Sequence, residues 1–70
     1  MVTVEYVVIP FLGEEPDLDL EESEIPSLED AQYLASFLVR RYDNVQILES
    51  RKDEEDEFLS LSLVDIRKAW

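Results

Sequence analysis

The chain has seventy residues, a net charge of −12 from eighteen acids against six bases, and neither cysteine nor histidine. One domain of this size, residues 1–70, buries only about 60% of its unfolded surface, and it can call on neither disulfides nor a zinc site for support. No apolar run approaches the roughly 20 residues that span a bilayer, and the N-terminus lacks the basic start and apolar core of a signal peptide, so a soluble, cytoplasmic protein is expected.

The charge is unevenly placed. Residues 1–39 hold ten acids and no base, whereas residues 40–70 hold eight acids and all six bases, as the pairs Arg40-Arg41, Arg51-Lys52 and Arg67-Lys68. Such a field repels nucleic acid and anionic membranes and attracts basic protein surfaces.

In chain order, VTVEYVVI at residues 2–9 is rich in β-branched and aromatic types and reads as a strand closed by Pro10. Val2, Val4, Tyr6 and Val8 share one face, and Val7 and Ile9 share the other; a strand apolar on both faces is expected to be central or covered twice. An acidic loop follows at residues 13–26, with Glu14, Glu15, Asp17, Asp19, Glu21, Glu22 and Glu24. Its Leu18 and Leu20 are expected to pin it to the domain, because an unanchored loop of this length costs entropy in so small a protein. The alternative is that the alternating acidic and leucine residues add a strand to a sheet edge, of this chain or of a partner.

Ser27 starts a helix as N-cap, with Asp30 where a capping-box acid sits. Leu28, Ala31, Leu34, Ala35, Leu38 and Tyr42 form its apolar stripe, and Tyr33 and Phe37 are expected at the edge of the core. Asp43-Asn44 makes a turn, residues 45–50 read as a second strand, and residues 58–64, FLSLSLV, read as a third with one buried and one wetter face. Between them lies a second acidic knot, Asp53, Glu54, Glu55, Asp56 and Glu57.

The expected fold is therefore a small α+β domain of order β-α-β-β, a three-stranded sheet with one helix on one face. The helix would cross over between the first two strands, right-handed if they are parallel. The other sheet face would carry Val7, Ile9, Leu48, Phe58, Val64, Ile66 and Trp70. Either the C-terminal segment, residues 65–70, stays flexible or docks over that face, or another molecule covers it; Val7, Ile9, Phe58 and Trp70 are the candidate apolar interface, and a homodimer is one candidate arrangement.

Most chemistry lacks its residues. Without His or Cys there is no Ser-His-Asp triad, thiolate nucleophile or ordinary zinc site, and the lone glycine, Gly13, cannot form a phosphate loop. Asp17, Asp19 and Glu21 repeat the first spacing of a calcium loop, but Glu22 stands where its glycine belongs and Leu28 where its bidentate glutamate belongs. No catalytic residue, cofactor or dedicated metal site is expected.

The expected function is a non-enzymatic, acidic protein-binding module, an inhibitor or accessory factor whose anionic surface occupies a basic site on a partner, including one that normally holds nucleic acid. Small acidic inhibitors of viruses and mobile elements are an analogy of size and charge. The competing explanation is a halophile's structural domain, acidic because of its solvent. Geometry restrains the mimicry: residues 14–30 fully extended space their carboxylates at roughly 6.5 Å, against ~3.4 Å per charge on one DNA strand. The acidic segment must fold compactly, or join the residue 53–57 knot, to match.

Overall fold

The computed structural model describes residues 2–55 and 57–68. Its elements are β1 (Thr3–Leu12), β2 (Glu15–Pro16), a 3-10 turn (Leu18–Leu20), β3 (Glu22–Ile25), α1 (Leu28–Leu38), β4 (Asn44–Lys52) and β5 (Phe58–Lys68). The α+β class is as expected, but the sheet has five strands, all paired antiparallel, rather than three.

The two additional strands come from the acidic segment. Gly13 has φ +65°, and among the described residues the only other positive φ belongs to Glu24. Leu12 pairs with Glu15, so Gly13-Glu14 is a two-residue hairpin turn with left-handed backbone at its first position alone, which is the type II′ signature. The Gly13 N–H donates to Asp43 Oδ2, tying the turn to the start of β4. The chain therefore reverses at once and returns along β1, first as β2 and then as β3, where Tyr6 pairs with Ile25 and Val8 with Glu22.

This return decides the sense of the pairing that the sequence left conditional. β1 and β4 are antiparallel over nine residue pairs, Thr3 to Phe11 against Lys52 to Asn44. The parallel relation lies between β3 and β4, which flank β1 on opposite sides and both run against it. The helix bridges β3 and β4 across β1, so the crossover starts from β3 rather than from β1.

Pro10 does not end β1. It is fully buried, and its carbonyl accepts the Asp17 N–H at 2.8 Å on the side facing the acidic segment. The side of Pro10 that lacks a donor thus points into the gap between β2 and β3, and the ladder to β4 continues through the Pro10–Val45 pair.

The helix is placed by its cap: Ser27 Oγ accepts the Asp30 N–H at 3.1 Å, and Glu29 and Asp30 lie in the first turn. Ala31 and Ala35 are fully buried against Val8, Val45 and Ile47, with Tyr6, Ile25, Leu34, Leu38 and Val39 packed around them. The two alanines let the helix approach the sheet closely, at the cost of a core with few large side chains.

The outer strand differs most from expectation. β5 reaches Lys68, so residues 65–68 extend the sheet rather than fold over it, and Trp70 lies outside the described residues. Register shifts opposite Ile47/Leu48 and Arg51/Lys52 insert Val64 and Leu59 as bulge residues. Between the bulges, Leu61 opposes Ser50 and Leu63 opposes Leu48, whereas Ser60 and Ser62 oppose Arg51 and Glu49; beyond Val64, Asp65 opposes Ile47. The serines therefore share the face of the helix, and the leucines join Val7 and Ile9 on the opposite one. That reverses the expectation that the leucine row is the buried row.

Two substitutions test this local physics. Ser27→Ala removes the cap and should cost about 1 kcal/mol, a fall in Tm of roughly 4–8 °C by calorimetry. Glu24, at φ 60°, sits in the irregular step of the β1–β3 pairing. Glu24→Gly should melt several degrees above Glu24→Ala, a difference of about 1 kcal/mol, because both remove the carboxylate and only glycine relieves the left-handed backbone. Equal melting would show that the position carries no strain.

Candidate functional site: an acidic edge and an uncovered sheet face

The sheet positions both acidic groups. The Gly13-Glu14 turn caps the Leu12 end of β1, whereas the hairpin after Lys52 lies at the Thr3 end. Ten residues of strand place them roughly 30 Å apart, in a molecule whose longest dimension is 38 Å. Glu14, Glu15, Asp17, Asp19, Glu21, Glu22 and Glu24 run along one edge of the sheet from the Leu12 end back to Tyr6, and Asp53, Glu54, Glu55 and Glu57 follow Lys52 at the Thr3 end, so only the Gly13-Glu14 end of the segment is far from them. Asp56 lies outside the described residues.

Some of these carboxylates hold the fold together. Asp17 accepts the Tyr42 hydroxyl at 2.7 Å and the Asp19 N–H at 3.2 Å, capping the 3-10 turn. It is this bond, with the Asp17 N–H to Pro10 and the β3 pairing, that anchors the acidic segment. Leu18, 64% exposed, does not, which corrects its half of the expectation that the two leucines pin the segment, whereas Leu20, 46% exposed, lines a cleft with Phe37, Leu38 and Tyr42. Asp53 closes the second hairpin, its Oδ1 accepting the N–H groups of Glu55 and Glu57, both at 2.9 Å, while its own N–H donates to the Glu57 carbonyl.

Glu14, Glu15, Asp19, Glu21, Glu22 and Glu24 remain as six exposed acids on the edge. Their flanking pairs, Leu12–Glu15 and Tyr6–Ile25, are six residues apart on β1, or roughly 20 Å. Folding back on β1 has compressed the spacing to roughly 3.3 Å of edge per carboxylate, about half that of the extended segment and close to the ~3.4 Å of one DNA strand.

The second surface is the sheet face opposite the helix. Phe58, Leu61, Leu63 and Ile66 are 62%, 50%, 50% and 40% exposed there, beside half-buried Val7, Ile9 and Leu48. Of the expected interface residues, Val7, Ile9 and Phe58 lie on this face. Leu61 and Leu63 were missed, although their alternation was visible; the direction in which the row points depends on the bulges.

A third feature is an exposed aromatic pair. Tyr33 and Phe37 meet edge to face at 5.0 Å, with the Arg40 guanidinium 5.7 Å from the Phe37 ring, so they stand out from the helix rather than sealing the core. Leu20, Phe37, Leu38, Arg40, Arg41 and Tyr42 line a shallow cleft of about 330 Å³. Among the described residues no group of three acids is arranged to hold a metal, and no helix is long and apolar enough to cross a membrane.

Comparisons of the chain with protein-family models, curated proteins and solved structures find no match.

The Tyr42–Asp17 bond has a titration signature. The hydrogen bond to Asp17 is the main cause that raises the Tyr42 pKa above the usual value near 10, with desolvation and the Asp17 charge adding to it. Because the folded state favours the neutral phenol, the stability from this shift is present below about pH 10 and is lost as pH rises through the folded pKa. In phenolate absorbance Asp17→Asn should move the Tyr42 ionisation to lower pH than in the wild-type protein. Superimposed titrations in both proteins would overturn the assignment.

Proposed function

We propose that the chain is a non-enzymatic protein-binding module that acts as an inhibitor or accessory factor by presenting its acidic edge to a basic site on a partner. The observation that carries this reading is the set of six exposed carboxylates held along roughly 20 Å of β1. The spacing suits a site that normally receives one nucleic-acid strand. A positive groove would meet this edge with near-complementary charge, and electrostatic steering would speed the encounter.

The distribution of acids supports a directed surface over adaptation to salt. A solvent adaptation should place carboxylates on all exposed surfaces, yet past its first turn the exposed side of the helix carries Tyr33, Ser36 and Phe37 and no acid. In this reading the protein works in the cytoplasm, binds neither membrane nor nucleic acid directly, and keeps its hairpin at residues 53–57 outside the main contact. The homodimer belongs to the same picture, through the sheet face that the acidic edge leaves open.

Immobilised protein should retain a basic, nucleic-acid-binding protein at about 50 mM salt and lose most of it by about 200 mM, with duplex DNA competing for that partner. Replacing Glu14, Glu15, Glu22 and Glu24 by Gln should weaken retention by about tenfold or more, whereas Gln at Glu54, Glu55 and Glu57 should leave it within about twofold. Retention that ignores the first set of substitutions, or the absence of any salt-sensitive partner, would overturn the proposal.

A further inference from the structure

The apolar sheet face invites a definite occupant, and its chemistry favours self-association. Its centre is Val7, Ile9, Leu48, Leu61, Leu63 and Ile66, drawn from three adjacent strands by the registers of β1 with β4 and β4 with β5. The charged groups sit at its ends, Glu5 with Lys52 at one and Lys68 at the other. On β4 the apolar row is interrupted by Gln46, between Ile9 and Ile66, and by Ser50, between Glu5 and Leu61; an apolar centre with a polar margin is the anatomy of a specific interface.

We propose that this face is covered by a second copy of the chain, in a twofold dimer whose two sheets pack face to face with the helices outside. Charge selects this geometry. Two molecules of net charge −12 repel over most of their surfaces, but the long strands bring one acid and two lysines to this face, so two copies meet here without opposing rows of carboxylates. A twofold contact requires only that one patch suit itself, and a near-neutral leucine and isoleucine surface does.

The area sets the expected strength. β1, β4 and β5, at ~4.8 Å per strand and about nine residues long, span roughly 14 by 30 Å; two such faces, counted as flat rectangles, bury about 860 Å², which puts the contact at the small end of specific interfaces. Sheets packed this way lie ~10 Å apart, the distance at which leucine and isoleucine side chains from both copies interdigitate. The contact leaves the edge formed by β2 and β3 at the rim, so the dimer does not depend on the acidic-edge reading.

Sedimentation equilibrium at moderate salt, from about 10 to about 200 µM, should give twice the chain mass of 8.2 kDa, with micromolar or tighter dissociation. The double substitution Leu61→Lys, Leu63→Lys should weaken dimerisation by about 100-fold while the far-ultraviolet circular dichroism stays unchanged, since both side chains are half-exposed in the single chain. Should that variant unfold, intermolecular methyl contacts in a mixture of isotope-labelled and unlabelled wild-type protein still decide the matter, and they should fall on Leu61, Leu63 and Ile66. Glu14, Glu15, Glu22 and Glu24→Gln should dimerise like wild type, which separates this test from that of the acidic edge. A wild-type mass of 8.2 kDa across the range, an undiminished dimer in a folded double variant, or intermolecular contacts on the helix would each overturn the proposal.

Discussion

One helix of eleven residues, about 16 Å long, has to cover a sheet of five strands, and it cannot. It lies over β1, β3 and β4 and reaches β5 through the 3.5 Å bond from Gln32 to Asp65. The fully buried apolar set is accordingly small, Val8, Pro10, Ala31, Ala35, Val45 and Ile47 among the described residues. At about 25 cal/mol per Å² of buried apolar surface, so few side chains leave little margin over chain entropy. The remaining constraints are supplied by polar devices at the turns: Asp43 on Gly13, Asp17 on Tyr42, Asp53 on its own hairpin and Ser27 on the helix.

The parts of the fold that were legible in the sequence were those whose signals are local and periodic. Ser27 with Asp30 marked the helix start, the stripe through Ala31 and Ala35 marked its buried side, and β-branched runs marked β1 and β4. What was not legible depends on chemistry that looks contradictory in one dimension. Glutamate and proline are poor strand residues, so EP and ESEI did not read as strands, although Gly13-Glu14 is a two-residue hairpin signal and β1 offered them an edge to join. The two bulges of β5 were invisible as well, and a single inserted residue decides which face a leucine row occupies.

The candidate surfaces follow the same division. That the acidic segment was unusual could be read directly from its composition, but the spacing that gives it meaning arises only when the chain doubles back. Sequence could not show that the first acidic group flanks β1 from Leu12 to Tyr6 while the second follows Lys52 at the Thr3 end, nor that three of the aspartates, Asp17, Asp43 and Asp53, are engaged with backbone and hydroxyl donors. Charge counted along a chain overstates the charge offered to a partner, because carboxylates are also the residues that close tight turns.

The two bulges in β5 carry a consequence for growth in the other direction, sideways along the sheet. An eleven-residue outer strand with leucines on it is a template on which identical chains could stack edge to edge without limit. Bulges interrupt the regular row of donors and acceptors that such stacking needs and add local twist, and Asp65 and Arg67, ion-paired at 3.3 Å, put charge on the helix side of the same strand. The fold therefore discourages fibril-like propagation from its open edge while leaving its broad apolar face exposed.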